Sequence, residues 1–304
     1  MKIATNGMVF NELTQVLLMQ RDDTRTWAPP GGSLDAGELP TEGVAREVRE
    51  ETGLIVWPVR LVGLDYIPAA PEGTLVFSFR CIQRGGEIQP SPESPRVGWL
   101  PTRPLPRRML SFHRARVLEA FQHAGGPPRW QTRPRSLRHR LGWFLVQNVV
   151  YRYKDWQRVR RGQPIYQPPP GWRIGAFVVL RNDAGEVLWL RRTDRDVWNL
   201  PGGGSVDGEA PWQTAVRETR EETGLTVRLT NLTGVYTYDG QNHLVCTFTA
   251  ITAGGALTPG PEAAEFAYFA PGAEPPNAVP QHVERVADAT SPGDVTRFKR
   301  QTLQ

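Results

Sequence analysis

A stretch of 23 residues occurs twice in this 304-residue chain, and it constrains the fold more than any other feature of the sequence. The first copy, GSLDAGELPTEGVAREVREETGL, begins at Gly32, and the second copy, GGSVDGEAPWQTAVRETREETGL, begins at Gly203. Both copies reduce to Gly, five residues, Glu, seven residues, Arg-Glu, two residues, Glu-Glu, one residue, Gly and an aliphatic residue. We name each copy a box, and two boxes predict two sites of one kind.

The similarity between the two halves of the chain extends well beyond the box. Trp27 matches Trp198 at an offset of 171 positions, and an offset of 169 positions holds from residue 74 onward. A repeat of about 120 residues that occurs only twice indicates two globular copies of one fold rather than a solenoid. We therefore predict two domains, residues 1–126 and 172–304, joined by a connector at residues 127–171.

Each box predicts a loop, a helix and a glycine stop. Pro40 and Pro211 suit the first helical turn, because the N–H that proline lacks has no intrahelical partner there. Gly53 and Gly224 suit the left-handed conformation that often ends a helix. We expect a helix of about three turns between each proline and the following glycine.

Three carboxylates share one stripe of each predicted helix. At 100° per residue, Glu47, Glu50 and Glu51 fall within an arc of about 100°. Like charges at this spacing destabilise an isolated helix, whereas a hard divalent cation bound between them stabilises it. A solvated acidic face would explain a single Glu-x-x-Glu-Glu, but it does not explain a long pattern that occurs twice.

An arginine lies beside the carboxylate stripe in each box. The arginines are Arg46 and Arg217, and the loop before each helix carries Glu38 or Glu209. Ion pairs between these arginines and glutamates would hold the loop against the helix. The loop glutamates are therefore expected to have a structural role.

Taken together, the two boxes resemble the signature of the Nudix hydrolases, which cleave a nucleoside diphosphate linked to another moiety. The first box matches completely, and the second departs only at Thr219, where the signature has an aliphatic residue. The resemblance implies an α/β fold in each half, an α/β/α sandwich around a mixed β-sheet. It also implies that the box forms a loop, a helix and a loop that hold Mg²⁺ or Mn²⁺.

The same resemblance assigns roles to residues of both boxes. It implies metal ligands at six glutamates: Glu47, Glu50, Glu51, Glu218, Glu221 and Glu222. We predict a catalytic set of Glu47, Glu50 and Arg46 in the first box and Glu218, Glu221 and Arg217 in the second. The general base is Glu47 or Glu218 in this assignment, although some family members use a glutamate outside the box.

Residues before the boxes and in the last helix of each half are further candidates. The candidate substrate contacts are Trp27, Arg21, Trp198 and Arg192. An indole there would stack on a base or belong to the core, and an arginine would contact phosphate or end a solvated strand. His113 and His282 are expected on a helix surface or at a helix cap, although an active-site role stays open.

The predicted connector carries the entire basic excess of the chain. It has 10 Lys and Arg against 1 Asp, whereas the flanking halves have net charges of 0 and −4. Its middle, LGWFLVQNVVY at residues 141–151, is apolar nearly all round a helix but too short to span a bilayer. We expect a helix packed between the domains, and an anionic membrane surface or nucleic acid as less favoured partners.

The remaining features are typical of a cytoplasmic protein. No stretch reaches the roughly 18 apolar residues of a membrane span, and the first residues lack the core of a signal peptide. Cys81 and Cys246 each lie in an apolar, strand-like run, which predicts two buried thiols rather than a disulfide or a zinc site.

Two functional hypotheses follow from these features. The first is a metal-dependent pyrophosphohydrolase with two active sites, in which water attacks one phosphorus of a P–O–P link. The second is a nucleotide sensor, in which one or both sites bind a ligand without rapid turnover and the basic connector binds nucleic acid. The nucleotide substrate and the oligomeric state do not follow from the sequence.

Overall fold

The computed structural model describes residues 1–68, 72–123, 125–133, 156, 160 and 171–302. The elements of the first half are β1 (Lys2–Val9), β2 (Gln15–Gln20), β3 (Trp27–Ala28), α1 (Pro40–Thr52), β4 (Leu54–Ile67), β5 (Thr74–Gly86), β6 (Arg96–Pro101), α2 (Ser111–Gln122) and β7 (Arg129–Thr132). Those of the second half are β8 (Arg173–Leu180), β9 (Val187–Arg192), β10 (Trp198–Asn199), β11 (Gly202–Gly204), α3 (Pro211–Thr223), β12 (Leu225–Tyr238), β13 (Gln241–Gly255), β14 (Ala263–Phe269), α4 (Pro280–Thr290) and β15 (Arg297–Gln301).

Each half contains one mixed sheet and one small antiparallel sheet. In the first half the mixed sheet has the order β1-β5-β4-β7, with β1 parallel to β5, β5 antiparallel to β4, and β4 parallel to β7. The second half repeats this arrangement as β8-β13-β12-β15, and β11 extends its edge beside β8. The small sheets are β3-β2-β6 and β10-β9-β14. The predicted mixed sheets are confirmed.

The two helices of the first half cover opposite faces of its mixed sheet. A Cβ at Gly7 on β1 would lie 2.7 Å from the side chain of Val48 on α1, so this face touches the box helix directly. The next residue, Met8, points to the other face and packs with Ala120 of α2. The arrangement is the predicted α/β/α sandwich.

The packing under the second box helix explains why Thr219 replaces an aliphatic residue. Val178 occupies the sheet position that matches Gly7, and Thr219 and Ala215 occupy the helix positions that match Val48 and Val44. A larger residue on the sheet is thus balanced by smaller residues on the helix, which conserves the packed volume. The Thr219 hydroxyl donates to the Ala215 carbonyl at 2.7 Å, so its burial leaves no polar group unpaired.

The ends of both box helices match the sequence prediction. α1 and α3 are 13 residues long, and each has its proline in the first turn. Gly53 and Gly224 stop them at φ values of 76° and 75°, and each donates its N–H to the carbonyl four residues earlier. Left-handed backbone at this position favours glycine, so both helices end where the sequence requires.

The first part of the predicted connector forms an edge strand of the first mixed sheet. Residues 129–132, which composition placed in the connector, form β7 and pair with β4 from Gly63 to Tyr66. Composition could not identify this strand, because a four-residue edge strand depends on its partner rather than on its own pattern. The predicted apolar helix at 141–151 lies outside the described residues.

Two further features of the described chain bear on the predictions. Cys81 and Cys246 are buried free thiols, as expected, and burial raises the pKa of both. Among the described helices, none has the length and apolar character needed to cross a bilayer.

The two halves pack against each other with approximate twofold symmetry. Met1 and Trp172 hold equivalent positions and exchange two backbone hydrogen bonds, at 3.1 and 2.6 Å. The ring of Phe298 on β15 lies 5.3 Å from that of Phe79 on β5, and the ring of Trp130 on β7 lies 5.6 Å from that of Phe248 on β13. The last strand of each half therefore carries an aromatic side chain into the opposite half.

Candidate active sites

The first box forms a polar network centred on one arginine. The Nε and Nη2 atoms of Arg46 donate to the two carboxylate oxygens of Glu38 at 2.8 and 2.9 Å. Its Nη1 atom donates to Glu47 at 3.0 Å and to Glu50 at 3.3 Å. The guanidinium thus ties the loop to the helix, as predicted, and fixes two carboxylates of the stripe.

The second box repeats this network almost atom for atom. Arg217 donates to both oxygens of Glu209 at 2.9 and 2.8 Å, and to Glu218 and Glu221 at 2.8 and 3.0 Å. In both boxes Nη2 also donates to a loop carbonyl, that of Ser33 or Gly204, at 3.0 or 3.1 Å. Both sites therefore have the same preorganised geometry.

The first glycine of each box lets the loop approach the helix closely. A Cβ at Gly32 would lie 2.5 Å from a carboxylate oxygen of Glu47. A Cβ at Gly203 would lie 2.7 Å from the carboxylate carbon of Glu218. No other residue fits without displacing these carboxylates, which is the physical reason for glycine at this point of the pattern.

The third carboxylate of each stripe is buried beside the same loop. Glu51 is 8% exposed and accepts the N–H of Gly31 at 2.7 Å, and Glu222 accepts the N–H of Gly202 at 2.8 Å. Burial raises the pKa of Glu51 to about 8 and that of Glu222 to about 7, despite these hydrogen bonds. Burial also raises the pKa of Glu47 and Glu218. Burial therefore favours the protonated, neutral form of these carboxyl groups in the metal-free chain.

The donor set of each site fits a hard divalent cation. All three carboxylates offer oxygen ligands, and buried carboxylates with raised pKa values gain most from a bound cation. Within the described residues, no three acidic, histidine or cysteine side chains already converge on one point. Glu50 and Glu221 are 59% and 60% exposed, so of the three carboxylates they are the most accessible to an ion, although each also accepts a hydrogen bond from its arginine.

The predicted phosphate-binding arginines lie near the buried carboxylates. Arg21 forms two hydrogen bonds with Asp23, at 2.9 and 2.7 Å, and Arg192 does the same with Asp194. The charge of Arg21 lowers the pKa of Glu51 against the effect of burial. Arg192 acts likewise on Glu222. Arg21 follows β2 and Arg192 ends β9, so both arginines lie at strand ends, as expected, and phosphate contact stays a prediction.

The predicted base-stacking tryptophans belong to the small apolar clusters beside the boxes. The side chain of Trp27 packs against the cluster that contains Val16 and Met109. The backbone N–H of Trp27 donates to the carbonyl of Arg108 at 2.7 Å. Trp198 packs edge-on against Phe269, with ring centroids 5.6 Å apart. Both indoles are half-buried, so packing accounts for part of each ring.

The expected surface position of His282 is wrong. Its side chain is buried, and Nδ1 accepts the N–H of Leu200, two residues before Gly202, at 2.8 Å. His113 holds the same place in α2, but its Nδ1 atom is buried without a partner. The residue that matches Leu200 is Pro29, which has no N–H to donate. Burial lowers the pKa of both histidines well below the usual range.

The sequence reading missed one glutamate in each half. The charge of Glu93 raises the pKa of Glu51, and that of Glu262 raises the pKa of Glu222, and both of these outer carboxylates are exposed. Their carbonyls accept the N–H groups of Asp22 and Thr193, at 3.0 and 3.2 Å. The available signal was the Pro-Glu pair that recurs at the offset of 169 positions.

A hollow of about 660 Å³ lies along α3 beside the second site. The described residues that line it are Trp212, Gln213, Val216, Arg217, Arg220 and Glu221. Arg217 and Glu221 also belong to the carboxylate network, so the hollow adjoins the second site.

A comparison with models of protein families places both halves in one family. The model of the NUDIX domain matches residues 2–121 and again residues 171–289. These two matches cover most of the chain and include both boxes, Glu93, Glu262 and all but the last residue of each second helix.

Individual relatives match one domain's length of the chain. A MutT-like protein of Streptomyces ambofaciens is 37% identical over 123 residues, which are 40% of this chain and 79% of that protein. A putative 8-oxo-dGTP diphosphatase of Bacillus subtilis is 37% identical over 117 residues, which are 38% of this chain and 77% of that protein. The crystal structure of an ADP-ribose pyrophosphatase from Streptococcus suis aligns at 28% identity and a TM-score of 0.35, over 44% of this chain and 98% of that one.

Proposed function

The chain belongs to the Nudix family as a tandem of two domains, and from this premise we propose a metal-dependent pyrophosphohydrolase of nucleotide substrates with two active sites. Residues 1–133 and 171–302 would each carry one site. The observation that carries the proposal is the repetition of one complete network, with Arg46 or Arg217 at its centre and a buried glutamate beside it. A site that had lost its function would not need to keep this geometry.

The box carboxylates would hold Mg²⁺ or Mn²⁺ in each site. The ligands would be Glu47, Glu50 and Glu51 in the first site and Glu218, Glu221 and Glu222 in the second. A bound divalent ion lowers the pKa of water and withdraws charge from phosphate oxygens. Arg46 and Arg217 touch only carboxylates and a loop carbonyl in the described chain, so we assign them as positioning residues rather than groups that contact substrate.

A carboxylate must take the proton of the attacking water. Glu47 and Glu218 remain candidates, but each is already engaged by an arginine. Glu93 and Glu262 are exposed, and their backbone carbonyls bind the N–H groups of Asp22 and Thr193, next to Arg21 and Arg192 at the edges of the boxes. Their charges also act on the buried glutamates. We propose Glu93 and Glu262 as the general bases.

Paired substitutions in the full chain separate the two sites. The full chain is required because Phe79 of the first half packs against Phe298 of the second. Glu50→Gln with Glu51→Gln should abolish turnover at the first site, and Glu221→Gln with Glu222→Gln should abolish turnover at the second. The measurement is phosphate or monophosphate release from 8-oxo-dGTP, ADP-ribose, dinucleoside polyphosphates and coenzyme A, with Mg²⁺, with Mn²⁺ and with EDTA.

The outcomes distinguish the two functional hypotheses. Metal-dependent release that survives either pair but not both pairs together supports two working sites. Release that is unaffected by all four substitutions would refute the assignment. Nucleotide binding without release across the panel would favour the sensor.

The general bases are tested separately from the metal ligands. Glu93→Gln should lower kcat at the first site by about a hundredfold, the usual contribution of general base catalysis, and leave Mn²⁺ affinity nearly unchanged. Glu47→Gln should weaken Mn²⁺ binding as well. Equal loss of Mn²⁺ binding in both variants would count against Glu93 as the base.

A further inference from the structure

The loop of the first box is held by the opposite domain. The carbonyl of Gly37 accepts the hydroxyl of Thr237 at 3.2 Å, and Nε of Arg300 lies 3.5 Å from the same oxygen. The Nη2 atom of Arg300 donates to Glu42, in the first turn of α1. The turn after β12 lies so close that a Cβ at Gly37 would be 2.7 Å from the nitrogen of Gly240.

The loop of the second box has different surroundings. Gly208 matches Gly37 and also has a left-handed backbone, with a φ of 84° against 73°, yet a Cβ there would meet no atom of the described residues within 4 Å. Gln213 replaces Glu42 and carries no charge. Burial and then the charge of Asp207, in this loop, raise the pKa of Tyr66 of the opposite domain. Among the described residues, the close contact and the ion pair therefore belong to the first loop.

A short path connects this contact to the carboxylates of the first site. The loop residue next to Gly37 is Glu38, which receives the N–H of Asp35 at 2.9 Å and the guanidinium of Arg46. Arg46 in turn donates to Glu47 and Glu50. A shift of the loop therefore changes the position of Arg46 and of both carboxylates.

We propose that Arg300 and the turn at residues 238–240 of the second domain position the loop of the first active site, so that the first site depends on the second domain through an ion pair that has no equivalent at the second site within the described residues. This inference rests on the proposed function for its catalytic consequence, but the contact itself is testable without turnover. Arg300 is a positioning residue, because it acts through Gly37 and Glu42.

The two glycines provide a matched pair of variants. Gly37→Ala and Gly208→Ala introduce the same strain of a left-handed alanine, but within the described residues only Gly37→Ala also meets the opposite domain. Each variant is made in the full chain with the other site disabled by its Glu→Gln pair. We expect Gly37→Ala to lower kcat/KM at the first site at least about tenfold more than Gly208→Ala does at the second, since small displacements of positioned groups are costly.

Arg300 is tested by charge removal and by conservative rescue. An exposed ion pair is worth little, so Arg300→Gln should weaken Mn²⁺ binding at the first site about twofold to fivefold by calorimetry, with kcat lowered more than KM is raised. Arg300→Lys keeps the positive charge but lacks the planar guanidinium group, so it should retain more Mn²⁺ affinity than Arg300→Gln does. The control is Lys299→Gln, because Lys299 pairs with Glu284 and Asp288 inside the second domain.

Hydrogen exchange of the metal-free chain reports on the loop directly. Arg300→Gln should speed exchange in residues 34–42 and leave residues 205–213 unchanged, whether or not the protein turns over any substrate. Unchanged exchange in residues 34–42, or an equal effect of Arg300→Gln on Mn²⁺ binding at both sites, would overturn the inference. A wild-type chain that hydrolyses nothing would refute the proposed function alone, because exchange and Mn²⁺ binding still decide the role of Arg300.

Discussion

At the scale of single residues, the two halves differ at the histidine of the last helix, whose Nδ1 atom has a hydrogen-bond partner in one half and none among the described residues in the other. His282 accepts the N–H of Leu200, whereas the equivalent His113 has an unpaired Nδ1 atom, and Pro29 stands at the sequence position of Leu200. A buried donor left without an acceptor costs about 1–3 kcal/mol, while an acceptor that already lacks a donor costs nothing more when it is removed. The same substitution should therefore have unequal effects at these two positions.

We expect His282→Leu to lower the free energy of unfolding by about 1–3 kcal/mol. His113→Leu should change it by less than about 1 kcal/mol, because the side chains are similar in size and no hydrogen bond is lost. Urea unfolding of both variants measures the difference. Equal destabilisation would show that the Leu200 hydrogen bond adds nothing to packing.

The buried glutamates make the stability of the metal-free chain depend on pH. The pKa of Glu51 is raised by burial from 4.5 to about 8, so the folded chain binds more protons than the unfolded chain between these values. Stability contributed by the protonated form is therefore present below about pH 4.5 and is lost as the pH rises through about 8. The corresponding window for Glu222 ends near pH 7.

The variant Glu51→Gln should show a smaller loss of stability between pH 5 and pH 8 than the wild type, because Gln remains neutral throughout. The measurement is thermal unfolding in EDTA across this range. Glu222→Gln serves as the matched variant in the second site. Parallel pH profiles for the wild type and Glu51→Gln would contradict the raised pKa.

At the scale of elements, each site depends on the close approach of a loop to a helix. Gly203 lies against Glu218, whereas its neighbour Gly204 has open space around the position of a Cβ. Neither glycine has a left-handed backbone, so alanine introduces no strain in the backbone dihedral angles at either position. The pair therefore separates contact with the carboxylate from backbone effects.

We expect Gly203→Ala to displace the Glu218 carboxylate and to lower Mn²⁺ affinity at the second site by about tenfold or more, because metal ligands must keep their orientation. Gly204→Ala should retain wild-type affinity. Calorimetric titration of Mn²⁺ into chains with a disabled first site gives both values. A similar loss in the two variants would mean that the whole strand, rather than the carboxylate contact, was disturbed.

At the scale of the whole molecule, the two domains share an aromatic interface. Phe298 lies against Phe77 and Phe79 of the opposite sheet, and Trp130 makes the reciprocal contact with Phe248. Phe77 and Phe79 are 0% and 1% exposed, so separation of the domains would expose apolar surface on the mixed sheet of the first domain. Unfolding of the two domains should therefore be coupled.

The variant Phe298→Ala should destabilise both domains by about 1–3 kcal/mol and separate their thermal transitions, because part of an aromatic contact is lost. Phe269→Ala is the control, since Phe269 packs against Trp198 within the second domain. Calorimetry of the full chain measures both variants. A shift confined to the second domain in Phe298→Ala would show that the interface does not couple unfolding.

Local patterns predicted much of the fold and part of each site. The box helices, their glycine stops, the loop-to-helix ion pairs and the duplication of a whole domain all follow from spacing along the chain. These features were predictable because the helix start at proline, the helix stop at glycine and the 3.6-residue period depend only on residues close together in the chain.

Other features depend on contacts between residues far apart in the chain. The approach of Glu93 to Glu51, the burial of His282 and the position of β7 depend on how loops and strands return to the sheet. Thr219 is similar, because its fit depends on Val178 in another element. No local pattern encodes such distances.

The sequence by itself determined that this chain has two Nudix domains with a complete set of box carboxylates, because those residues are fixed at short spacings in both copies. Only the tertiary structure decided that Arg300 and Gly240 contact the loop of the first box, whereas no atom of the described residues lies within 4 Å of a Cβ at the equivalent Gly208. The physical reason is that contacts between domains depend on how their folded surfaces meet. These contacts join residues more than 200 positions apart, and no repeated sequence pattern predicts them.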